Sequence, residues 1–167
     1  MTGPLAGRVE FIARRADHEH AARMLRAFYA EQVGRYGFAE SIALDPGQFA
    51  GPDGGFVVVY LDGEPAGCGC WRWHDRAAGV AEFKKTFVVP AARGIGAGRA
   101  LLSRLERDAV TAGAVRGILE TGVRNTAALG LFTSQGYQPI PSYVPGRPPE
   151  INRAFTRPLS AGPVAQG

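Results

Sequence analysis

The stretch ARGIGAGRALL, residues 92–102, carries the residue types best suited to holding a reactive ligand. Gly94, Gly96 and Gly98 alternate there, with Arg93 before them, Ile95 and Ala97 between them, Arg99 after them and a leucine-rich run behind. A turn that opens a helix presents backbone N–H groups with no intrahelical partner, and the helix dipole adds positive potential at the same point. Such a place attracts anions, and glycine lets a phosphate approach the backbone without meeting a Cβ. The plain alternative is a tight strand-to-helix turn that binds nothing. Two familiar phosphate motifs fail. G-x-G-x-x-G is broken because Arg99 stands where its third glycine belongs, and the preceding EFKKTF carries two lysines where a dinucleotide-binding sheet buries both faces. A Walker A loop needs Gly-Lys-Ser/Thr, which is absent.

Such a turn needs a strand before it and a helix after it, and hydrophobic spacing supplies both. GVAEFKKTFVVP reads as a strand stopped by Pro90. IGAGRALLSRLERDAVTAG reads as a helix with Leu101, Leu102, Leu105 and Ala109 on one side, ending near Gly113; Arg104 and Arg107 fall on its solvated face. Upstream, VEFIARR alternates as a strand. A helix from the expected cap Asp17 carries Ala21, Met24, Leu25, Phe28, Tyr29 and Val33 at helical spacing. Residues 37–55 are broken by Gly and Pro, and FVVVYLDGEPAGCGCWRW reads as a hairpin turning at DGE. Downstream come a buried strand RGILET, a helix NTAALGLFTSQG capped by Asn125 and closed by Gly136, and late strands YQPI and INRAFTRPL. The order β-α-β-β-β-α-β-α-β-β predicts one α/β domain with a mixed sheet over residues 8–159, between flexible ends at 1–7 and 160–167.

The 167 residues, 46% hydrophobic and 20% charged, fit one soluble globular domain with a real core. No stretch is a membrane span or a signal peptide, so the expectation is a cytoplasmic protein with no membrane partner. A net charge of +4 suits a polyanionic ligand but lacks the dense basic block of a nucleic-acid binder. Cys68 and Cys70 lie two apart on one strand face, where they would not bridge; no Cys or His cluster completes a metal site, so small core residues are expected.

VVPAARGIGAGRALL resembles motif A of the GNAT superfamily of N-acetyltransferases, R/Q-x-x-G-x-G/A, met by Arg93, Gly96 and Gly98. LETGVRNTAALGLFTSQGY resembles the family's second signature, matched by Asn125, Ala128, Leu131, Phe132, Gly136 and Tyr137. The resemblance is close over residues 80–140. It implies a mixed sheet with helices on both faces and a V-shaped opening between two parallel strands that takes acetyl-CoA. Amides of residues 94–99 would receive the pyrophosphate, with Arg93 and Arg99 adding charge. The backbone of Thr86, Phe87 and Val88 would pair with the pantetheine arm, and Asn125 would hydrogen-bond it while also capping its helix.

Acetyl transfer to an amine needs a neutral nucleophile, stabilisation of an oxyanion and a leaving thiolate. By resemblance, the Val88 N–H is the oxyanion donor. Glu82, six residues before it, resembles the strand glutamate that histone-type members use as base, and alternation would put residues 82, 84, 86 and 88 on one face. Glu120, five residues before Asn125, matches the carboxylate of ribosomal-protein N-terminal acetyltransferases. Glu82 ranks first, and for each carboxylate a structural ion pair is the plain alternative. Many members carry Tyr where this chain has Phe132, which cannot protonate the thiolate; Tyr137, Tyr143 or solvent would substitute. His74 and Asp75 read as exposed turn residues, and Trp71 and Trp73 as packing residues. The expected activity is acetyl transfer from acetyl-CoA to a primary amine of a small molecule or peptide in a ternary complex. A non-catalytic acyl-CoA sensor, favoured by Phe132, is the rival. The resemblance leaves monomer and homodimer open.

Overall fold

Val57 and Val59 of the run FVVVY point to one side of a sheet and Phe56, Val58 and Tyr60 to the other, and all five are buried. Both faces of this strand are therefore covered, which is why its sequence is continuously apolar rather than alternating. The computed structural model describes residues 7–37 and 44–160. Its elements are β1 (Val9–Ala13), α1 (Glu19–Tyr36), β2 (Gly54–Leu61), β3 (Glu64–Asp75), β4 (Val80–Val88), α2 (Ala97–Thr111), β5 (Arg116–Gly122), α3 (Thr126–Ser134), β6 (Gln138–Ile140) and β7 (Asn152–Pro158). The expected order of elements is observed. The expectations for the ends 1–6 and 161–167, and for positions 38–43 of the Gly/Pro-broken loop, lie outside the described residues.

Seven strands form one mixed sheet in the order β1-β2-β3-β4-β5-β7-β6. β1 to β4 make an antiparallel meander, turned between β2 and β3 at Asp62 and Gly63, which take φ of 51° and 83°. β4 and β5 are the parallel pair, and β7 slots antiparallel between β5 and β6. α2 lays Leu101, Leu102, Leu105 and Ala109, each 0% exposed, on the face formed by Val57, Val59, Trp71, Ala81 and Phe83. Each such leucine contributes about 1.5–3 kcal/mol by leaving water. α1 covers the opposite face with Ala21, Met24, Leu25 and Tyr29, joined by Phe49 from the irregular segment before β2. A buried polar knot ties α2 to the far edge: Tyr137 Oη donates to Glu106 Oε2 at 2.7 Å, and Arg157 Nη1 reaches the same carboxylate at 3.2 Å.

Several local expectations are corrected. His18, not Asp17, caps α1, its Nδ1 accepting from the His20 N–H at 3.0 Å, because Asp17 is drawn into an ion pair with Arg15. Val33 is 49% exposed and belongs to the outer face of α1. Arg104 is not merely solvated: it pairs with Asp108 and donates to the Phe11 carbonyl at 2.8 Å, holding α2 to β1. Among the described residues, no helix is long and apolar enough to cross a membrane.

Candidate active site

β4 and β5 hydrogen-bond only over Val80–Glu82 and Arg116–Ile118. Both strands run on, to Val88 and Gly122, and separate into a wedge. The cause lies within β4. Between Cys68 and Cys70 β3 advances two residues while β4 advances three, from Lys84 to Phe87, and Lys85 takes φ 58°. One extra residue makes a β-bulge, which bends the strand and turns its side chains over. The Cys70 thiol approaches the Lys84 carbonyl at 3.3 Å and the Cys68 thiol the Lys85 carbonyl at 3.5 Å, giving both displaced carbonyls a donor. Burial pushes the Cys70 thiol up to about 12, so both groups remain protonated donors at neutral pH.

The bulge overturns the expected common face of residues 82, 84, 86 and 88. Ala81 and Phe83 pack on the α2 side, whereas Phe87 packs on the α1 side. Unbroken alternation would give all three one face. Glu82 and Lys84 consequently share the α1 face, and Thr86 lies towards α2, beside Leu101 and Leu105.

The wedge contains two adjoining cavities of about 320 and 360 Å³ that share Thr86, Asn125, Ala128 and Phe132. The outer one is walled by Thr86, Phe87 and Val88 and by the glycine turn: Arg93, Gly94, Gly96, Ala97, Gly98 and Arg99. Ile95 is outside this wall, 48% exposed. Gly94 and Gly96 take φ of 85° and 82°, the left-handed region, which explains glycine at both. Gly96 caps α2 with no side-chain bond, and the first helical hydrogen bond is Ala100 N–H to the Gly96 carbonyl at 3.1 Å. The N–H groups of Ala97, Gly98 and Arg99 therefore precede the helical ladder at the positive end of the dipole. Arg93 does double duty: Nε donates to the Val88 carbonyl at 2.9 Å, and Nη2 lies 2.6 Å from Glu31 Oε2, tying the turn to α1. Arg99 Nη2 donates to Ser134 Oγ at 3.3 Å. Asn125 Oδ1 accepts from the Ala128 N–H at 3.3 Å, capping α3 as expected while lining both cavities. Val89 donates its N–H to Ala66 on β3, so alternation turns the Val88 N–H towards the wedge.

The inner cavity contains both carboxylates. Glu82, 3% exposed, is fully engaged: Arg72 Nε donates to Oε1 at 3.1 Å, Tyr143 Oη donates to Oε2 at 3.0 Å, and Lys84 Nζ lies 3.9 Å away. Glu120 differs. Arg147 Nη1 approaches Oε1 at 2.8 Å, but the buried Oε2 has no hydrogen-bond partner among the described residues. Burial raises the Glu120 carboxyl above its ordinary value, opposed by Lys84 and reinforced by Glu82. Phe132 is 3% exposed, packs its ring 6.0 Å from Tyr137 and lines both cavities. Tyr137 itself is bonded to Glu106 and lines neither cavity. His74 and Asp75 are exposed, although His74 meets the Tyr143 ring edge-on, and Trp71 and Trp73 pack against each other.

Arg72, Tyr143 and Arg147 are functional neighbours that the sequence reading missed or left unplaced. Tyr143 and Arg147 sit in the proline-rich segment between β6 and β7, and each reaches a different carboxylate. Tyr143 and Arg147, set among the four prolines of this segment, are the one visible signal. Tyr36, at the end of α1, closes the inner cavity; its hydroxyl accepts from the Arg124 N–H at 3.0 Å and occupies the space a Cβ on Gly122 would need.

Comparison with known proteins gives concordant results. The pattern described as Acetyltransferase (GNAT) family matches residues 14–137. An "IAA acetyltransferase" of Azospirillum brasilense is 36% identical over 116 residues, covering 70% of this chain and 75% of that one. An acetyltransferase of Streptococcus agalactiae superposes with a TM-score of 0.74 at 18% identity, over 90% of this chain and 98% of that one. The ribosomal-protein-S18-alanine N-acetyltransferase of Escherichia coli superposes with a TM-score of 0.66 at 21% identity, over 92% and 95%. The structural likenesses speak for the fold, and the sequence matches decide the family: a chain with this wedge, this glycine turn and these two signatures belongs to the GNAT family of acetyltransferases.

Proposed function

We propose that the protein transfers an acetyl group from acetyl-CoA to a primary amine of a small molecule or peptide, by direct attack within a ternary complex, and that Glu120 is the base. The observation that carries this reading is the division of the wedge: helix amides without a side-chain cap at one end and, at the other, a buried carboxylate oxygen that has no partner among the described residues. The glycine turn fits a pyrophosphate, since Gly94, Gly96 and Gly98 leave its cavity-facing backbone bare. Thr86, Phe87, Val88 and Asn125 would hold the pantetheine arm, and Phe132 would pack against it. The thioester supplies an activated acetyl group.

A lysine-like amine is mostly protonated at neutral pH, its pKa being about 10.4. Glu120 Oε2 would receive its proton, and burial, which raises this carboxyl above its ordinary value, makes the carboxylate a better proton acceptor. Glu82 would act as an anchor, since Arg72 and Tyr143 already occupy both its oxygens. This reverses the ranking drawn from strand alternation. The Val88 N–H would stabilise the oxyanion.

The test is a screen of primary amines, with IAA assayed separately after the Azospirillum brasilense relative's name, scored by free CoA thiol release from acetyl-CoA. Turnover with one class of primary amine supports the reading; thiol release that no amine at any concentration raises above the amine-free control refutes it.

A further inference from the structure

We infer that Lys84 is itself an acetyl acceptor, so that the protein, with acetyl-CoA bound and no amine present, acetylates its own Lys84 ε-amine once per chain. This rests on the acetyl-CoA reading above and adds a modification site to it.

Of the 19 cationic side chains, all but Lys84 and Lys85 are arginine. Arginine keeps its proton in a protein, whereas a buried lysine gives its proton up and becomes a nucleophile. The chain's two ε-amines are thus adjacent, and both line the inner cavity. Lys84 is the better placed. Its side chain is 17% exposed, and Nζ lies 3.9 Å from Glu82 Oε2 and within electrostatic reach of Glu120 on the facing strand. It precedes Thr86, which lines both cavities, by two residues. Lys85, set apart by the bulge, holds its ammonium over the rings of Phe28 and Tyr29, at 5.8 and 5.3 Å. Burial, helped by the like charges of Lys85 and Arg72, pulls the Lys84 ammonium below its ordinary value against the hold of Glu82 and Glu120.

The neutral Nζ attacks the thioester carbonyl carbon. A C–N bond forms as the C–S bond breaks, the C–S electron pair leaves with sulfur as the CoA thiolate, and the surplus proton on nitrogen passes to the Glu120 carboxylate. The product is a neutral amide, so the cation beside Glu82 is lost.

The experiment adds acetyl-CoA to the purified, unmodified protein without acceptor and reads intact mass, peptide map and thermal shift together. The expected result is a gain of one acetyl group, mapped to Lys84, absent in Lys84→Arg, kept in Lys85→Arg and slowed in Glu120→Gln. An unchanged mass in a protein whose Tm acetyl-CoA still raises overturns the proposal and leaves the acetyl-CoA reading intact. So does a gain that persists in Lys84→Arg on Lys85 or the N-terminal amine. No thermal shift at all in the unaltered protein overturns both.

Discussion

Replacing Gly98 by alanine should move stability and ligand affinity in opposite directions. Gly98 is the second residue of α2, and unlike Gly94 and Gly96 it does not take a left-handed φ. A Cβ placed there meets only Leu131 Cδ2, at 3.7 Å, an ordinary contact. The folded state therefore accepts the methyl group. In a helix interior alanine is favoured over glycine by about 0.8–1 kcal/mol. So near the helix start about half of that, ~0.5 kcal/mol, is expected, a rise of about 1–2 °C in Tm for a chain of this size. Yet Gly98 also walls the outer cavity, where the turn's amides face a ligand. A tenfold weaker Kd corresponds to about 1.4 kcal/mol. Acetyl-CoA at a fixed excess should therefore raise the variant's Tm by about 3–6 °C less than it raises that of the unaltered protein. The assay is a thermal melt of both proteins with and without acetyl-CoA. An apo Tm that rises alongside an undiminished ligand shift would refute the assignment of this turn as the phosphate cradle.

Two further substitutions probe the surroundings. Phe132→Tyr should leave Tm and acetyl-CoA affinity nearly unchanged, because the ring borders both cavities and its hydroxyl can enter them; where thiolate departure limits turnover, the new acid raises kcat, and loss of acetyl-CoA binding would instead put that ring edge in the core. Tyr137→Phe should flatten the alkaline limb of the stability curve. Burial and Glu106 raise the Tyr137 phenol, so the folded chain keeps a proton that the unfolded chain releases, and the stability this confers is full below pH ~10 and falls above it by about 1.4 kcal/mol per pH unit. Denaturant melts between pH 9 and pH 11 check this, and parallel slopes in the two proteins would contradict it.

What the sequence disclosed was local. The glycine turn, the Asn125 cap and the leucine face of α2 depend on residues within one or two turns of each other, and all appear where expected. What it concealed depends on the bulge at Lys85. A positive φ at lysine carries no glycine or asparagine signal, so alternation was extended through it and Thr86 was assigned to the wrong face. The insertion of β7 between β5 and β6 is equally a matter of long-range pairing. The different burdens of the two glutamates were hidden for the same reason. Tyr143 reaches Glu82 across 61 residues of sequence, and Arg147 meets Glu120 from the same loop. Cys68 and Cys70, expected as small core residues, are buried as such and also face the bulge carbonyls, a role no spacing rule would assign.

The pH dependence of kcat/KM, measured with Tm for Glu120→Gln and Glu82→Gln, addresses the account most directly. Among the described residues Glu120 Oε2 has no hydrogen-bond partner and burial disfavours the charged carboxyl, so a neutral amide there, which keeps an oxygen for Arg147, should lower Tm less than the same change at Glu82. Removing the base should cost about 10²–10⁴-fold in rate near neutral pH and less as the free amine appears at higher pH. Glu82 should behave in the reverse way. Its loss weakens two charge-assisted hydrogen bonds, from Arg72 and Tyr143; a total weakening equal to one such bond, about 1.5–3 kcal/mol, lowers Tm by about 3–12 °C, with a smaller, pH-independent loss of rate. A Glu120→Gln enzyme with an unaltered profile, beside a stable Glu82→Gln enzyme that has lost the neutral-pH rate, would contradict the account and return the proton to Glu82.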